Sequence, residues 1–167
     1  FDLPDGRLAA LVGRNGAGKS TLLRCLAGWT VPADGTAEID GRRLTRRDQQ
    51  YRDQVVLVPD TPDFYDELTA WDHLQLVSQL YRVAGWQEKS RALLDEFDLL
   101  DVRQAFPFTF SRGMRYKLAV CMALVVSPPI LLLDEPFGPL DSLASRLLWR
   151  HLQEYCAGGK SALFSSH

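Results

Sequence analysis

A glycine-rich stretch carries a lysine and two hydroxyl side chains at a spacing that suits phosphate binding. The stretch Gly13-Arg-Asn-Gly-Ala-Gly-Lys-Ser20, followed by Thr21, fits the pattern G-x-x-x-x-G-K-[ST]. In such a loop the backbone N–H groups turn inward around phosphate oxygens, Lys19 reaches the β- and γ-phosphates, and the Ser20 hydroxyl is a ligand for Mg²⁺. The candidate nucleotide-binding residues are Gly13, Arg14, Asn15, Gly16, Ala17, Gly18, Lys19, Ser20 and Thr21.

An apolar run that ends in acids provides the second candidate part of the site. It reads Ile130-Leu-Leu-Leu-Asp-Glu-Pro136, and an Asp at the carboxyl end of a strand beside a phosphate loop can hold Mg²⁺. We therefore assign Asp134 to the metal and Glu135 to orienting or deprotonating the attacking water. The Asp-Glu-Pro sequence could instead simply end a strand, but the phosphate loop requires such an acid and favours the metal-binding interpretation.

Short apolar runs predict the elements that position these residues. Leu8–Val12 is a strand before the phosphate loop, and Ser20–Ala27 is a helix whose N-terminus adds partial positive charge. Gly35–Gly41 alternates in polarity and predicts a half-exposed strand in a hairpin or meander. Continuous apolar runs predict strands covered on both faces, hence a parallel sheet, at Val55–Val58, Ile130–Leu133 and Ala162–Phe164.

The stretch from about Leu68 to Val126 has a helical pattern instead. Its first helix is capped by Thr69 and Asp72 and presents one apolar stripe that includes Trp71. A second helix is predicted from Arg91 to Leu100, and a third begins at Ser111 and ends before Pro128-Pro129. His73 and His151 lie in helical segments away from any motif, and we expect them to be surface or packing residues.

Length and composition support one α/β domain. The 167 residues are 46% hydrophobic and 24% charged, close to globular averages, and the formal net charge of -2 leaves no basic footprint for nucleic acid. No apolar run could span a bilayer and no signal peptide is visible. The three cysteines, which match no metal spacing and suit a reducing cytosol, are Cys25, Cys121 and Cys156.

The expected fold class is α/β, with a P-loop nucleotide triphosphatase core and an inserted helical subdomain. The core has a mostly parallel sheet flanked by helices. A single domain is expected over residues 1–167, with the core at 1–62 and 128–167 and the helical subdomain at about 63–127. Because the chain starts at Phe1 without a methionine and stops at His167 directly after an apolar run, we expect that neighbouring structure is missing at both ends.

Several motifs resemble, in their order, those of the ATP-binding cassette (ABC) family. After the phosphate loop comes Phe110-Ser-Arg-Gly-Met114, which resembles the family signature Leu-Ser-Gly-Gly-Gln. The Leu-Leu-Leu-Asp-Glu-Pro strand, Gly138-Pro-Leu-Asp141 and Ser165-Ser-His167 then follow in the family order. The combination is highly specific, although the phosphate loop alone would not be. It covers nearly the whole chain and implies the ATP-binding, ATP-hydrolysing subunit of a membrane transporter.

The resemblance implies a site shared between two nucleotide-binding domains that pair head to tail. Each ATP lies between the phosphate loop of one domain and the signature of the other. Ser111, Arg112 and Gly113 would face the partner's ATP, with the Ser111 hydroxyl and the Gly113 N–H meeting its γ-phosphate. Asp141 would belong to the loop that crosses the interface, and His167 would contact the γ-phosphate and the attacking water.

The resemblance also implies a separate transmembrane permease as partner. The family docks its permease in the cleft between the helical block and the core, here near Asp60 and Phe64-Tyr65. We therefore expect a peripheral position on the cytoplasmic face of the cell membrane and no nucleic-acid partner. The transported substrate and the direction of transport are not encoded in these residues.

Three departures from the family pattern stand out. Asp60 occupies the position of a Gln that touches Mg²⁺; a carboxylate can ligate Mg²⁺, but it adds negative charge beside phosphates. We favour Asp60 as a metal ligand and also count it among the ATP-binding residues. Arg112 and Met114 replace a Gly and the Gln of the signature, whereas Gly113 is kept. The aromatic residue that stacks on adenine is absent from this chain.

Two other functions fit part of the pattern. A soluble cassette ATPase acting on ribosomes or DNA would carry a second cassette or a long coiled-coil insertion, and neither occurs in these residues. A degenerate nucleotide-binding module that does not hydrolyse ATP is suggested by Asp60, while Glu135 and His167 argue against it.

Overall fold

A parallel sheet lies at the centre of the computed structural model, which describes residues 1–43 and 53–167. Residues 44–52 of the predicted core lie outside the described residues. The strands of the described parts are β1 (Leu8–Val12), β2 (Glu38–Ile39), β3 (Arg42–Arg43), β4 (Val55–Val58), β5 (Ile130–Leu133) and β6 (Ser161–Ser166). The sheet order is β1-β6-β5-β4 with every pair parallel, while β2 and β3 form a separate antiparallel hairpin.

Helices flank the sheet and also fill the long stretch between β4 and β5. A short 3₁₀ turn at Pro107–Thr109 precedes the last helix of that stretch. The α-helices of the described residues are α1 (Lys19–Leu26), α2 (Ala70–Leu80), α3 (Trp86–Glu96), α4 (Arg112–Val126) and α5 (Ser142–Ala157). Helices α2, α3 and α4 pack against one another, so the predicted α/β class with a helical insertion is confirmed.

The sheet is covered on both faces, as the continuous apolar strands predict. Leu131 and Leu133 of β5 belong to a large core cluster with α4 and α5, whereas Leu132 between them belongs to a cluster that includes Leu23 of α1. This alternation follows from the two-residue repeat of a strand. Burial on both faces is the usual environment of parallel strands, and it fixes the register that brings the strand ends together.

The carboxyl ends of three strands lie side by side at one edge of the sheet. Val12 pairs with Ser166 across β1 and β6, and Leu133 pairs with Phe164 across β5 and β6. The residues that follow these strands are therefore neighbours in space. This edge brings the phosphate loop, the acids and the C-terminal histidine together.

Several elements differ in extent from the sequence-based prediction. Strand β6 covers Ser161–Ser166, whereas the apolar run predicts Ala162–Phe164. The predicted strand at 35–41 is reduced to Glu38–Ile39, because Asp40 and Gly41 adopt positive φ angles of 51° and 71° and turn the chain into β3. Helix α3 covers Trp86–Glu96 rather than Arg91–Leu100, and it follows Gly85 in the left-handed region. Its first turn is largely polar and exposed, so it adds little to an apolar stripe.

Within residues 1–43 and 53–167, no helix combines the length and the apolar character needed to cross a membrane.

Candidate active site

Two glycines give the phosphate loop its shape. Gly16 and Gly18 have φ angles of 79° and 90°, a region where a side chain is strained. A Cβ added at either position meets no atom within 4 Å, so the backbone conformation and not the available space demands glycine. Gly18 is the N-cap of α1, which begins at Lys19, and the loop therefore leads directly into the N-terminus of a helix.

Lys19 lies buried at the centre of this loop. Its ammonium group donates hydrogen bonds to the carbonyls of Gly13 at 2.7 Å and Arg14 at 3.3 Å. The Glu135 carboxylate lies 3.3 Å from the same nitrogen. The loop carbonyls thus hold the positive charge of Lys19 on the cavity side of the sheet edge, where it can meet phosphate oxygens.

Asp134 is a buried carboxylate that accepts hydrogen bonds from two hydroxyl groups. Its Oδ1 accepts hydrogen bonds from the hydroxyls of Ser20 at 3.1 Å and Ser165 at 2.7 Å, and its side chain belongs to a residue that is 3% exposed. A carboxylate beside a hydroxyl is a set of hard oxygen donors, which is what Mg²⁺ selects. Ser20 and Asp134 therefore fit the metal that the sequence predicts.

Glu135 lies between two positively charged or titratable groups. Its Oε1 is 3.3 Å from the Lys19 nitrogen and its Oε2 is 3.3 Å from Nε2 of the exposed His167. Its backbone is in the left-handed region with a φ of 46°, and its N–H donates a hydrogen bond to the Ser165 hydroxyl at 2.8 Å. That hydrogen bond stabilises an unusual backbone conformation, in which the carboxylate lies between Lys19 and His167.

Ser165 is the functional residue that the sequence reasoning missed. Its single hydroxyl donates to Asp134 and accepts from the backbone of Glu135, so it holds both acids of the site. Ser165 is fully buried. Phe164 pairs with Leu133 across β5 and β6. Ser165 follows Phe164 and Asp134 follows Leu133, so the two residues lie side by side. The signal in the sequence is the position of Ser165 directly after an apolar run.

Lys19, Ser20, Glu135 and His167 line one open cavity, with the buried Asp134 and Ser165 behind Ser20 and Glu135. Its volume is about 590 Å³, large enough for part of a nucleotide. It brings together predicted residues from the phosphate loop, the strand ends and the first turn of α4. The lining residues are Asn15, Gly16, Ala17, Gly18, Lys19, Ser20, Thr21, Asp60, Arg112, Glu135, Gly138 and His167.

The signature residues form the first turn of α4. Ser111 is the N-cap, and its hydroxyl accepts a hydrogen bond from the N–H of Met114 at 3.2 Å. Gly113 packs so closely that an added Cβ would lie 2.9 Å from the Pro139 carbonyl oxygen. Close packing within the chain therefore also calls for glycine there. The roles of Ser111, Arg112 and Gly113 towards a partner's ATP stay predictions.

Asp60 makes an ion pair with Arg112 across the mouth of the cavity. The Asp60 Oδ1 lies 2.7 Å from a guanidinium nitrogen of Arg112, and both side chains are substantially exposed. A metal-ligand role for Asp60 stays a prediction.

Asp141 caps α5 rather than lying in the cavity. Its Oδ1 accepts a hydrogen bond from the Ala144 N–H at 2.8 Å and its Oδ2 lies 3.2 Å from the Lys117 ammonium. The Ala144 N–H, followed by Lys117, lowers the pKa of Asp141. A role of Asp141 across a dimer interface stays a prediction.

The two helical histidines contribute to packing, as expected. His73 is buried, accepts a hydrogen bond at Nε2 from the Tyr65 N–H and contacts the Thr69 carbonyl through Nδ1 at 2.8 Å. His151 stacks on Phe97, with ring centroids 5.9 Å apart. Neither residue lines the candidate active-site cavity.

Comparison with known proteins agrees with the geometry of this site. The family model described as ABC transporter matches residues 1–138. The ABC-type transporter ATP-binding protein EcsA of Bacillus subtilis (strain 168) is 36% identical over 169 residues, a match that covers 100% of this chain and 68% of that protein.

Solved structures agree as well. The structure of an ATP-binding subunit of an ABC transporter has a TM-score of 0.93 and 37% identity, covering 100% of this chain and 70% of that one. A dimeric ATP-binding cassette, in a post-hydrolysis state bound to ADP and Pi, has a TM-score of 0.88 and covers 100% of this chain and 77% of that one. It is 24% identical, so its likeness supports the fold alone. Since the family model spans most of the residues and the phosphate loop meets its acids at one sheet edge, the chain belongs to the ABC transporter family, as an ATP-binding ATPase subunit.

Proposed function

We propose that the chain hydrolyses Mg²⁺-ATP in the cavity at the sheet edge and so powers transport through a separate permease. The observation that carries the proposal is the position of Glu135, whose carboxylate lies 3.3 Å from both Lys19 and His167. A carboxylate held there, next to the oxygen donors Ser20 and Asp134, is placed to act on a water that attacks a bound γ-phosphate.

Each residue of the edge has a distinct part in this proposal. Lys19 neutralises the β- and γ-phosphates, and the N–H groups of the loop bind their oxygens. Ser20 and Asp134 would hold Mg²⁺, which would supply positive charge to stabilise the phosphates. Glu135 orients the attacking water and takes its proton, while His167 contacts the γ-phosphate and helps to fix Glu135.

We infer that the active form pairs head to tail with a second nucleotide-binding domain. Ser111 is exposed at the N-terminus of α4, where partial positive charge and N–H groups face outward. The Asp141 side chain is 60% exposed and forms an ion pair with Lys117 of the same helix, α4. A cassette of the same fold has been solved as a dimer, which agrees with pairing but does not describe its geometry.

A second cavity supports a permease contact on the cytoplasmic face of the cell membrane. It has a volume of about 550 Å³ and lies between α1 and β4 on one side and α2 and α4 on the other. Phe64 and the exposed Trp29 line it, and the exposed Tyr65 follows Phe64 in the chain. Aromatic residues are enriched in protein interfaces. Trp71 packs instead against Trp86 inside the helical block, with ring centroids 5.1 Å apart.

The mutual packing of α2, α3 and α4 also supports the predicted division of the single domain. We propose a core at 1–62 and 128–167 and a helical subdomain at about 63–127. The loop around Asp60 then joins the two parts at the mouth of the active-site cavity.

Two substitutions separate ATP binding from turnover. Lys19→Ala removes the positive charge at the phosphates, so ATP binding should weaken and hydrolysis should be lost. Glu135→Gln keeps the shape of the side chain and removes the base, so ATP should remain bound while hydrolysis falls at least about 100-fold. Nucleotide affinity, the ATPase rate and the fraction of paired protein should be measured for both variants.

The matched control is Glu88→Gln, at an exposed position in the first turn of α3 and outside the cavity. It should hydrolyse ATP at the parent rate. A parent rate for Glu135→Gln would refute the assignment of the base, and unchanged ATP affinity in Lys19→Ala would remove the phosphate loop from the site.

A further inference from the structure

Two opposite charges from distant parts of the chain meet at the mouth of the active-site cavity. Asp60 follows β4, Arg112 lies in the first turn of α4, and the carboxylate and guanidinium approach to 2.7 Å. Both residues line the same cavity as Lys19 and Ser20. The Asp60–Arg112 pair therefore lies in the same cavity as the phosphate loop of its own chain.

The charged residues that line this cavity show how the Asp60–Arg112 pair affects its electrostatics. Lys19 and Arg112 are positive, while Asp60 and Glu135 are negative, and His167 lies beside Glu135. Glu135 already has Lys19 at 3.3 Å. Without Arg112, Asp60 would present an uncompensated negative charge to a polyphosphate that enters the cavity. Like charges within one cavity repel each other.

A second contact from the same helix face holds this loop in place. Arg115, three residues after Arg112, donates a hydrogen bond to the Pro62 carbonyl at 3.1 Å and lies 5.9 Å from the centre of the Phe64 ring. Residues three apart on a helix share a face. Arg115 thus fixes the loop after β4 against α4 through neutral partners, whereas Arg112 contacts the charged carboxylate of Asp60 in that loop.

We propose that Arg112 is a charge-neutralising residue of its own chain's ATP site, and that the Asp60 carboxylate is held by this arginine rather than by Mg²⁺. The proposal rests on the proposed ATP-binding function. Arg112 offsets the negative charge of Asp60, and the polyphosphate enters a cavity mouth without net repulsion.

The test measures the affinity for a fluorescent ATP analogue without Mg²⁺, in EDTA and at low salt. Arg112→Gln leaves Asp60 unpaired, so the affinity should fall about fivefold, the size of one charge interaction at about 4 Å in water. The Asp60→Asn/Arg112→Gln double variant lacks both charges and should regain most of that loss. Both differences should shrink at high salt, because exposed charges are screened.

Arg115→Gln is the matched control. It removes the same charge from the same helix face, but its partners are the Pro62 carbonyl and the Phe64 ring, so metal-free ATP affinity should change less than twofold by the same electrostatic reasoning. Equal losses in Arg115→Gln and Arg112→Gln would overturn the proposal, as would a double variant that binds as weakly as Arg112→Gln.

A Mg²⁺ titration distinguishes the metal-ligand alternative. The Mg²⁺ concentration that gives half-maximal ATP binding should stay the same in Asp60→Asn as in the parent. An increase of several-fold would show that Asp60 binds the metal and would overturn the proposal.

The Lys19→Ala variant distinguishes failure of this inference from failure of the proposed function. If the parent binds ATP no better than Lys19→Ala, the proposed function fails and this inference fails with it. If Lys19→Ala weakens binding but Arg112→Gln does not, this inference alone fails.

Discussion

Removal of the Ser165 hydroxyl changes the shape of the side chain by one atom but should disturb both acids of the site. Ser165→Ala removes a hydrogen bond to the buried Asp134 carboxylate and leaves the Glu135 N–H without its partner. A hydrogen bond to a charged group contributes about 1.5–3 kcal/mol, and a buried unpaired donor adds about 1–3 kcal/mol. Since the two effects share one side chain, we expect a loss of about 2–4 kcal/mol in the free energy of unfolding.

The same change should lower the ATPase rate more than ATP affinity. Glu135 depends on the Ser165 contact to hold its φ of 46°, whereas Lys19 is held by the loop carbonyls. A misplaced carboxylate should reduce the rate at least about tenfold, while ATP affinity stays close to that of the parent. Thermal unfolding, with a fall in Tm of roughly 5–15 °C, measures the loss of stability, and steady-state hydrolysis measures the loss of rate.

Ser78→Ala is the control for the loss of a buried hydroxyl. The Ser78 hydroxyl is buried and has no hydrogen-bond partner among the residues that the structure describes, so its removal should leave stability unchanged or slightly increased. If Ser165→Ala is no less stable than Ser78→Ala and hydrolyses ATP at the parent rate, the role given to Ser165 is refuted.

Two further predictions follow from other contacts. Gly113→Ala places a Cβ 2.9 Å from the Pro139 carbonyl oxygen and should destabilise the protein by about 1–2 kcal/mol in urea unfolding, a clash partly offset by helix propensity. Gly158→Ala, whose Cβ contacts lie at 3.4 Å or more, should be near neutral, and equal stability of the two variants would contradict the packing argument. Hydrogen bonds from the Thr69 hydroxyl and N–H lower the pKa of Asp72, so Asp72 stabilises the fold above its unfolded pKa and loses this effect as pH falls through its folded pKa. The stability gap between parent and Asp72→Asn should therefore shrink from pH 7 to about pH 3, and a constant gap would show that the charge of Asp72 plays no part.

The phosphate loop and the strands around it are predictable because local chemistry determines them. Gly16 and Gly18 are required by positive φ angles, and the apolar runs at Val55–Val58 and Ile130–Leu133 match the observed strands. Where the pattern is less apolar, tertiary contacts decide the boundaries. Helix α3 begins at Trp86, which packs on Trp71, a contact that no periodicity in its own helix reveals.

The charge and hydroxyl contacts between distant residues could not be predicted from the sequence. Asp60 and Arg112 are 52 residues apart, and in the sequence each is only a separate departure from a family pattern. Ser165 and Asp134 are 31 residues apart and become neighbours through the register of β5 and β6. Such contacts depend on the assembled fold, whereas the types of chemistry at the site depend on residues that are close in the chain.

One mixing experiment tests the composite ATP site most directly. Lys19→Ala spoils the phosphate loop and Ser111→Arg spoils the signature, so neither variant alone should hydrolyse ATP. In a head-to-tail pair, a mixed dimer has one site with Lys19 from one chain and Ser111 from the other, both intact. An equal mixture should therefore regain hydrolysis, up to about a quarter of the parent rate per chain if the variants pair at random. No recovery, with mixed dimers present, would contradict a site shared between two chains.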